Sequence, residues 1–239
     1  MANRLKITVL LGLLMTFMAC STKSEEELVA EGRSQMDAQA YEEAIVTFDK
    51  VLAINPQNST ALNAKGVALI RTENLGDAVL FFNEAIKVDT TDYRPYYNRA
   101  NAKLMLEDEF GAIEDFERAL ERNTEVADIY IKKGFLLAKY NEFDRALFDF
   151  ESAIRLGADD YRIHLKKGEL ELRVNNFDDA IYHFEKAIER KSDLGEAYYW
   201  WGLAEVAQEK KADGCQKLQL AVENGFSQAQ EVIAQNCLQ

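Results

Sequence analysis

Side chains that could act as nucleophiles or bind a metal are scarce in this chain of 239 residues. It has two histidines, His164 and His183, and three cysteines, Cys20, Cys215 and Cys237. A zinc site needs three or four ligands held together, and no cysteine or third histidine accompanies the histidine pair. Neither a G-x-x-x-x-G-K-[ST] phosphate loop nor a G-x-S-x-G nucleophile turn occurs in the sequence. The sequence therefore predicts a protein that is not an enzyme and that uses no metal and no cofactor.

Carboxylates are abundant, with 41 Asp and Glu against 28 Lys and Arg and a formal net charge of −13. They are spread out as on a solvated helix face, and a carboxylate without a cleft or an oriented partner is not an acid–base catalyst. So acidic a chain is a poor candidate for binding nucleic acid, whose phosphates must be neutralised by Lys and Arg. With 48% hydrophobic residues and only 2 Pro, the composition favours a soluble, mostly helical binding protein.

Small and aromatic residues recur every 34 residues from Glu25 onwards, without insertion or deletion. Position 8 of the unit is Gly or Ala, position 20 is Ala or Gly, and position 27 is Ala in five units and Val in the first. Position 24 is Phe in five units and Leu in the sixth. The six units are residues 25–58, 59–92, 93–126, 127–160, 161–194 and 195–228.

These four positions resemble those of the tetratricopeptide repeat (TPR), and the resemblance covers residues 25–228. It implies an all-α, right-handed α-solenoid in which each unit has a helix A at roughly positions 1–14 and a helix B at roughly positions 16–29. One unit cannot bury its own apolar face, so the units must stack. Residues 229–239 are then expected to form a capping helix over the sixth unit. His164 takes the place of a packing aromatic residue of the family and is expected to pack.

Residues 1–19 are typical of a bacterial signal peptide. Their apolar stretch, residues 7–18, would rise only about 18 Å as a helix, too little to cross a membrane. The segment ends in Phe17-Met18-Ala19-Cys20, which resembles the lipobox of bacterial lipoproteins and implies that Cys20 carries a lipid. Residues 20–24 would form a tether, and the lipid would be the only membrane contact. The alternative is a soluble signal peptide that is cleaved without lipidation.

The expected location is therefore the cell envelope, lipid-anchored in the outer membrane on its periplasmic face or at the cell surface. The acidic run Ser21–Glu27 resembles the surface-export signal of Bacteroidota lipoproteins. The same residues have a second interpretation. Ser24 and Glu27 form an S-x-x-E capping box, and glutamates suit the positive end of a helix.

Cys215 and Cys237 are expected to form a disulfide. Cys215 lies near the start of helix B of the sixth unit, and Cys237 lies near the end of the capping helix. The turn between these helices should fall at Asn224-Gly225-Phe226, with Gly225 as the C-cap. Both cysteines are 10–12 residues from that turn, so an antiparallel hairpin places them at the same height. An exported protein meets an oxidising compartment. The alternative is two free, buried thiols.

The resemblance implies that A helices line the concave surface and B helices the convex one. In units 2–5, the A halves hold 12 Lys and Arg against 3 Asp and Glu, whereas the B halves hold 8 against 24. Some of these cations replace the family's leucine at position 7, which faces helix B, so internal ion pairs are expected for Arg99 with Asp115 and for Lys133 with Asp149. The remaining cations either face a ligand or merely balance the acids of the B helices.

The groove positions of the family define the candidate partner-binding residues. Their cations, amides and aromatic rings suit an extended or helical peptide segment with acidic residues. In the sixth unit, two aromatic residues are expected to face outward or into the groove. The chaperone-type carboxylate clamp of the family is not present. The candidates are Asn63, Arg71, Arg94, Tyr97, Asn101, Lys132, Phe135, Lys139, Arg162, Lys166, Arg173, Tyr199 and Trp200.

Taken together, the residues and the resemblance predict a non-catalytic scaffold that holds other cell-envelope proteins through peptide segments. A monomer is expected. The first alternative is a structural component that self-associates as a homodimer, through the repeat edges or the aromatic residues of the sixth unit. The second is an enzyme subunit or a carbohydrate-binding module, for which a basic groove would favour anionic glycans.

Overall fold

A computed structural model describes residues 23–237. This part of the chain contains thirteen α-helices and no strand. The helices are α1 Glu25–Asp37, α2 Tyr41–Ile54, α3 Ser59–Arg71, α4 Leu75–Val88, α5 Tyr93–Met105, α6 Glu109–Leu120, α7 Ala127–Lys139, α8 Phe143–Arg155, α9 Tyr161–Arg173, α10 Phe177–Arg190, α11 Gly195–Ala207, α12 Lys211–Glu223 and α13 Ala229–Asn236.

Every 34-residue unit contains two helices, the odd-numbered one being helix A and the even-numbered one helix B. Helix A occupies positions 1–13 of each unit, and helix B begins at position 17 rather than at 16 as expected. The reason is a left-handed turn at position 15, where φ lies between 60° and 65° and cannot continue a right-handed helix. The residues in this turn are Gln39, Glu73, Glu107, Asn141, Asn175 and Glu209.

The units stack in chain order. Each helix A packs against helix B of its own unit, and each helix B packs against the next helix A. Helix A also touches helix A of the next unit at α1–α3, α3–α5, α7–α9 and α9–α11, whereas successive B helices are farther apart. The A helices therefore line the inner, concave side of the solenoid, and the B helices lie on the outer, convex side.

Close helix contact within a unit depends on position 8. The five phenylalanines at position 24 are fully buried, and in units 1, 2, 4 and 5 their rings lie against the position-8 glycine of helix A. A Cβ atom on Gly32 would be 2.6 Å from the ring of Phe48, and one on Gly66 would be 2.5 Å from that of Phe82. These distances are below van der Waals contact, so in these units the absence of a side chain at position 8 lets the aromatic ring fit between the helices.

Both ends of the described chain have the expected local structure. The capping box is confirmed: the backbone N–H of Ser24 donates to the Glu27 carboxylate at 2.8 Å, and the Glu27 N–H donates to Ser24 Oγ at 3.2 Å. At the other end, Gly225 has φ +86° and directly follows the C-cap of α12. Helix α13 then packs on α12. None of the helices in residues 23–237 is long and apolar enough to cross a membrane.

Cys215 and Cys237 form a disulfide that joins α12 to the residue after α13, with their Cα atoms 5.8 Å apart. The signal peptide and Cys20 lie outside the described residues.

Candidate binding groove

The position-7 cations point towards the B helices and not into the groove. The two expected pairs are confirmed: Arg99 Nε donates to Asp115 Oδ2 at 2.8 Å, and Lys133 Nζ lies 3.2 Å from Asp149 Oδ1. The other two position-7 lysines pair with acids of the preceding unit, Lys65 with Asp49 and Lys167 with Glu151. All four cations are thus part of the packing between helices and are not available to a ligand.

Two of these acids lie in the interior. Asp115 is fully buried and is contacted by Lys103 Nζ at 2.8 Å as well as by Arg99. Asp149 is equally buried but has one close cation, Lys133. Burial raises the pKa of Asp149 to about 6, because the nearby lysine offsets only part of the cost of removing the carboxylate from water.

On the concave side, a polar network joins units 3 and 4. Lys132 Nζ donates to Tyr97 Oη at 3.0 Å and to Asn101 Oδ1 at 2.8 Å, and Tyr97 Oη donates to Asp128 at 2.5 Å. The structure therefore brings three predicted residues together, but their polar atoms already bond to one another. Farther towards the N-terminus, Asn63 accepts a hydrogen bond from Asn98 at 2.9 Å.

Two predicted groove arginines are bonded to the acids that cap their own helices. Arg94 Nε donates to Asp92 at 2.9 Å, and Arg162 Nε donates to Asp160 at 3.0 Å. The hydrogen bonds that the guanidinium groups donate to these aspartates raise the pKa of both arginines. Both arginine side chains nevertheless remain exposed at the mouth of the groove.

The remaining predicted cations differ in how they are paired. Lys139 donates to Glu109 at 2.7 Å and Lys166 pairs with Glu169. Arg71 and Arg173 are exposed and form no ion pair within residues 23–237. The guanidinium of Arg173 lies 5.7 Å from the centre of the Phe143 ring.

Two adjoining cavities lie on the concave face of units 4 and 5, and Phe135 contributes to both. We call them together the double pocket. One has a volume of about 300 Å³ and the other about 270 Å³. The first is lined by Phe135, Ala138, Lys139, Asn141, Phe143, Lys166, Glu169, Leu170 and Arg173. The second is lined by Asp128, Ile131, Lys132, Phe135, Asp160, Arg162 and Ile163.

The double pocket thus gathers six of the predicted residues, one aromatic and five cationic. Sequence reasoning missed its three acidic members, Asp128, Asp160 and Glu169, although Asp128 and Glu169 stand at positions 2 and 9, two of the groove positions of the family. Burial raises the pKa of Glu169. Sequence reasoning also missed Asn141, in the turn between α7 and α8, and Phe143, the first residue of α8, both of which line the pocket. The left-handed turn at position 15 brings them there.

The aromatic residues of the sixth unit lie deeper than expected. The Tyr199 ring packs against Phe226, with centroids 4.9 Å apart. Trp200 packs against the buried residues between units 5 and 6, and its indole Nε1 is buried without a hydrogen-bond partner. Both rings are half-buried within the molecule, so their role in partner binding stays a prediction.

The two histidines meet inside unit 5. Their Nδ1 atoms are 3.2 Å apart, and His164 Nε2 lies 3.2 Å from Asp159. Burial lowers the pKa of both imidazoles, that of His183 to about 4. Among residues 23–237 no group of three or more His, Cys, Asp or Glu side chains could hold a metal ion. The pair is a packing element, as expected for His164.

Comparison with known proteins defines the class. The tetratricopeptide repeat family matches residues 29–95, 131–195 and 165–227, and the chain belongs to this family. Human serine/threonine-protein phosphatase 5 is 31% identical over 84 residues, which are 35% of this chain and 17% of that protein. The chain therefore spans only a small part of this curated relative.

Solved structures have the same fold. YrrB, described as a TPR protein with an unusual peptide-binding site, is 22% identical, with a TM-score of 0.70 over 74% of this chain and 92% of that one. MamA is 27% identical, with a TM-score of 0.61 over 67% and 94%. PilF of Pseudomonas aeruginosa is 17% identical, with a TM-score of 0.65 over 88% and 97%. The fold is that of a protein–protein interaction scaffold, and the family is generally non-catalytic.

Proposed function

We propose that this scaffold binds an extended peptide segment with acidic residues in the double pocket. The observation that supports the proposal is the convergence of five cations, against three carboxylates, around two adjoining cavities that share one aromatic ring. Phe135 would contact an apolar side chain of the peptide, and the cations at the rim would contact its carboxylates. The likeness to YrrB, described as having a peptide-binding site, supports the same kind of ligand.

Arg173 is the cation best placed to recognise such a ligand. It lines the double pocket, is exposed, and forms no ion pair within residues 23–237. Lys139 and Lys166 are paired with Glu109 and Glu169, so a peptide carboxylate must compete with these acids. Discrimination between acidic and neutral peptides should therefore depend on Arg173 more than on either lysine.

The test uses the purified chain and fluorescent 12-residue peptides that carry one aromatic residue flanked by Asp and Glu. Fluorescence anisotropy should show binding that Arg173→Glu weakens about tenfold, because an attractive charge becomes a repulsive one. Lys87→Glu is the matched control, since it changes the net charge equally on the exposed surface of α4. Equal affinity in both variants, or equal binding of peptides with Lys in place of the acids, would refute the proposal.

We further propose that the protein is exported and anchored by a lipid on Cys20, and that it holds other envelope proteins. The lipobox-like sequence supports this location, and so does the disulfide, since such bonds persist in oxidising compartments. Mass spectrometry of the N-terminal peptide from native membranes tests it. A diacylated or triacylated Cys20 is expected. An unmodified N-terminus, or an intact residue 1–19 segment, would contradict it.

A further inference from the structure

The convex face carries a regular row of exposed apolar side chains. Position 22 of units 1, 2, 4 and 5 is Val46, Leu80, Phe148 and Tyr182, with exposed fractions of 55%, 60%, 63% and 52%. Position 22 is two residues before the buried phenylalanine at position 24, which is about 200° around the helix. These four side chains therefore point away from the core. We call them the convex row.

The third unit departs from this pattern by one helical turn. Its position 22 is Glu114, but Phe110 stands four residues earlier on the same helix and is 64% exposed. Residues four apart lie on the same face of a helix. Five successive B helices therefore present an apolar side chain to the outside.

Acidic residues flank each member of the convex row. On α4, Asp77 precedes Leu80 by one turn, and Glu84 follows it by one turn. The same arrangement of acid, apolar residue and acid occurs on α2, α8 and α10. The flanking acids there are Glu42, Glu43 and Asp49, Asp144 and Glu151, and Asp178, Asp179 and Glu185, all exposed. Two of them, Asp49 and Glu151, also pair with Lys65 and Lys167, so a partner cation would have to compete at these two positions.

A cavity lies at the N-terminal end of the convex row. This cavity of about 380 Å³ lies beside Val46 and is lined by Glu31, Gln35, Glu42, Glu43, Val46, Thr47 and Lys50. Its lining combines the apolar side chain of Val46 with three carboxylates and one cation, Lys50. A partner side chain that enters this cavity would contact an apolar residue with carboxylates beside it, as it would along the convex row.

We propose that the convex row is a second docking surface, which takes a basic amphipathic segment of a partner protein. Apolar residues of the segment would cover the row, and Lys or Arg on either side would meet the flanking acids. A second copy of this chain would bring acid against acid, and an anionic lipid surface or a nucleic acid would be repelled in the same way. This surface is distinct from the double pocket and prefers a ligand of the opposite charge.

The experiment measures binding of the full chain to an 18-residue helical peptide with a leucine stripe flanked by lysines. A second peptide has glutamate at every lysine position. The variant Phe148→Gln/Tyr182→Gln removes two members of the row and no charge, and Met105→Gln/Leu106→Gln removes two comparably exposed apolar residues outside it. Circular dichroism checks that each variant is folded.

The lysine peptide should bind, the glutamate peptide should not, and the Phe148/Tyr182 variant should lose about a hundredfold in affinity, or tenfold for each side chain. The Met105/Leu106 variant should bind as the parent does. Binding that is unchanged in the Phe148/Tyr182 variant would mean unspecific charge attraction and would overturn the proposal. Dimerisation that the Phe148/Tyr182 variant abolishes would assign the row to a second copy and would overturn it as well.

Discussion

Gly214 shows at the scale of single residues how the sixth unit differs from the others. Gly214 stands at position 20 of the repeat, which is alanine in the other five units. In this unit a Cβ on Gly214 would lie 2.7 Å from the carbonyl oxygen of Gly202, and one on Gly202 would lie 2.8 Å from that of Gly214. The backbones of α11 and α12 touch where the two glycines meet. Alanine, which the other five units have at position 20, would therefore be unfavourable in the sixth unit.

We expect Gly214→Ala to lower the free energy of unfolding by about 1–3 kcal/mol, because a methyl group would have to push two backbones apart. Urea denaturation measures the change. Gly76→Ala is the control: that glycine is also helical, but its Cβ would meet nothing within 4 Å. The control should be neutral or stabilising by up to about 1 kcal/mol. Equal changes in the free energy of unfolding for the two variants would show that the close approach of α11 and α12 does not disfavour a methyl group at position 214.

Asp115 holds two cations in the interior of unit 3. Replacing it by alanine would leave Arg99 and Lys103 without their shared carboxylate, and we expect a loss of about 3–5 kcal/mol in the free energy of unfolding. Asp49→Ala is the matched control, because Asp49 also pairs with a position-7 cation but its side chain is 54% exposed. Its loss should cost about 1 kcal/mol or less. Denaturation of both variants under the same conditions tests the difference.

The histidine pair and Asp149 give the stability opposite dependences on pH. The pKa of His183 is depressed to about 4 from 6.5, so the unfolded chain binds the proton more readily and stability falls as the pH drops from 6.5 to 4. The pKa of Asp149 is raised to about 6 from 3.8, so stability rises as the pH drops from 6 to 3.8. Each effect amounts to about 3 kcal/mol, and over this range they largely cancel.

Asp149→Asn should therefore expose the histidine effect. In this variant the free energy of unfolding is expected to fall by about 3 kcal/mol between pH 6.5 and pH 4 more than it does in the parent. The measurement is urea denaturation at half-unit steps of pH. His183→Gln should show the opposite trend, with stability that increases on acidification. Parallel pH profiles for the parent and both variants would contradict the prediction.

At the scale of the helix pair, the turn at position 15 costs free energy in every unit. Left-handed backbone is unfavourable for residues with a Cβ, less so for asparagine, and free for glycine. Four of the six turns nevertheless have Glu or Gln there. Because these residues are poor markers of a left-handed turn, the sequence pattern placed the start of helix B one residue too early.

Glu107→Gly is expected to raise the free energy of unfolding by about 1 kcal/mol, since φ is 63° at this position. Asn141→Gly should raise it by less, because asparagine tolerates the left-handed region with φ 61°. Thermal unfolding of the two variants beside the parent measures both shifts. A lower stability of Glu107→Gly would show that the glutamate side chain contributes more than its backbone strain removes.

The element scale also explains which parts of the groove could be predicted. Groove positions follow from the 34-residue period, so Phe135, Lys139 and Arg173 were found from the sequence, and they do line one cavity. The pairing of the cations could not be found in the same way. Glu109, which binds Lys139, belongs to the B helix of the preceding unit, 30 residues away. Such a contact depends on how neighbouring units are stacked, which the period alone does not determine.

For the whole molecule, the disulfide determines how the C-terminal end responds to reduction. It closes a loop with a sequence separation of 22 residues. Cys215→Ser/Cys237→Ser is expected to lower the free energy of unfolding by about 3 kcal/mol. Hydrogen exchange should become faster in α13 first, since α13 packs only on its neighbours in the sixth unit. Reduction of the parent protein should reproduce both effects, and unchanged exchange in α13 would contradict the prediction.

The Cys215–Cys237 disulfide makes the two ends of the solenoid respond differently to a pulling force. Each unit touches only its neighbours, so under tension the solenoid should extend stepwise, one unit after another. The segment between Cys215 and Cys237 cannot lengthen while the bond is intact. A chain pulled from its two ends would therefore stop short of full extension by about 70 Å, and a reducing agent would release that length in a single final step.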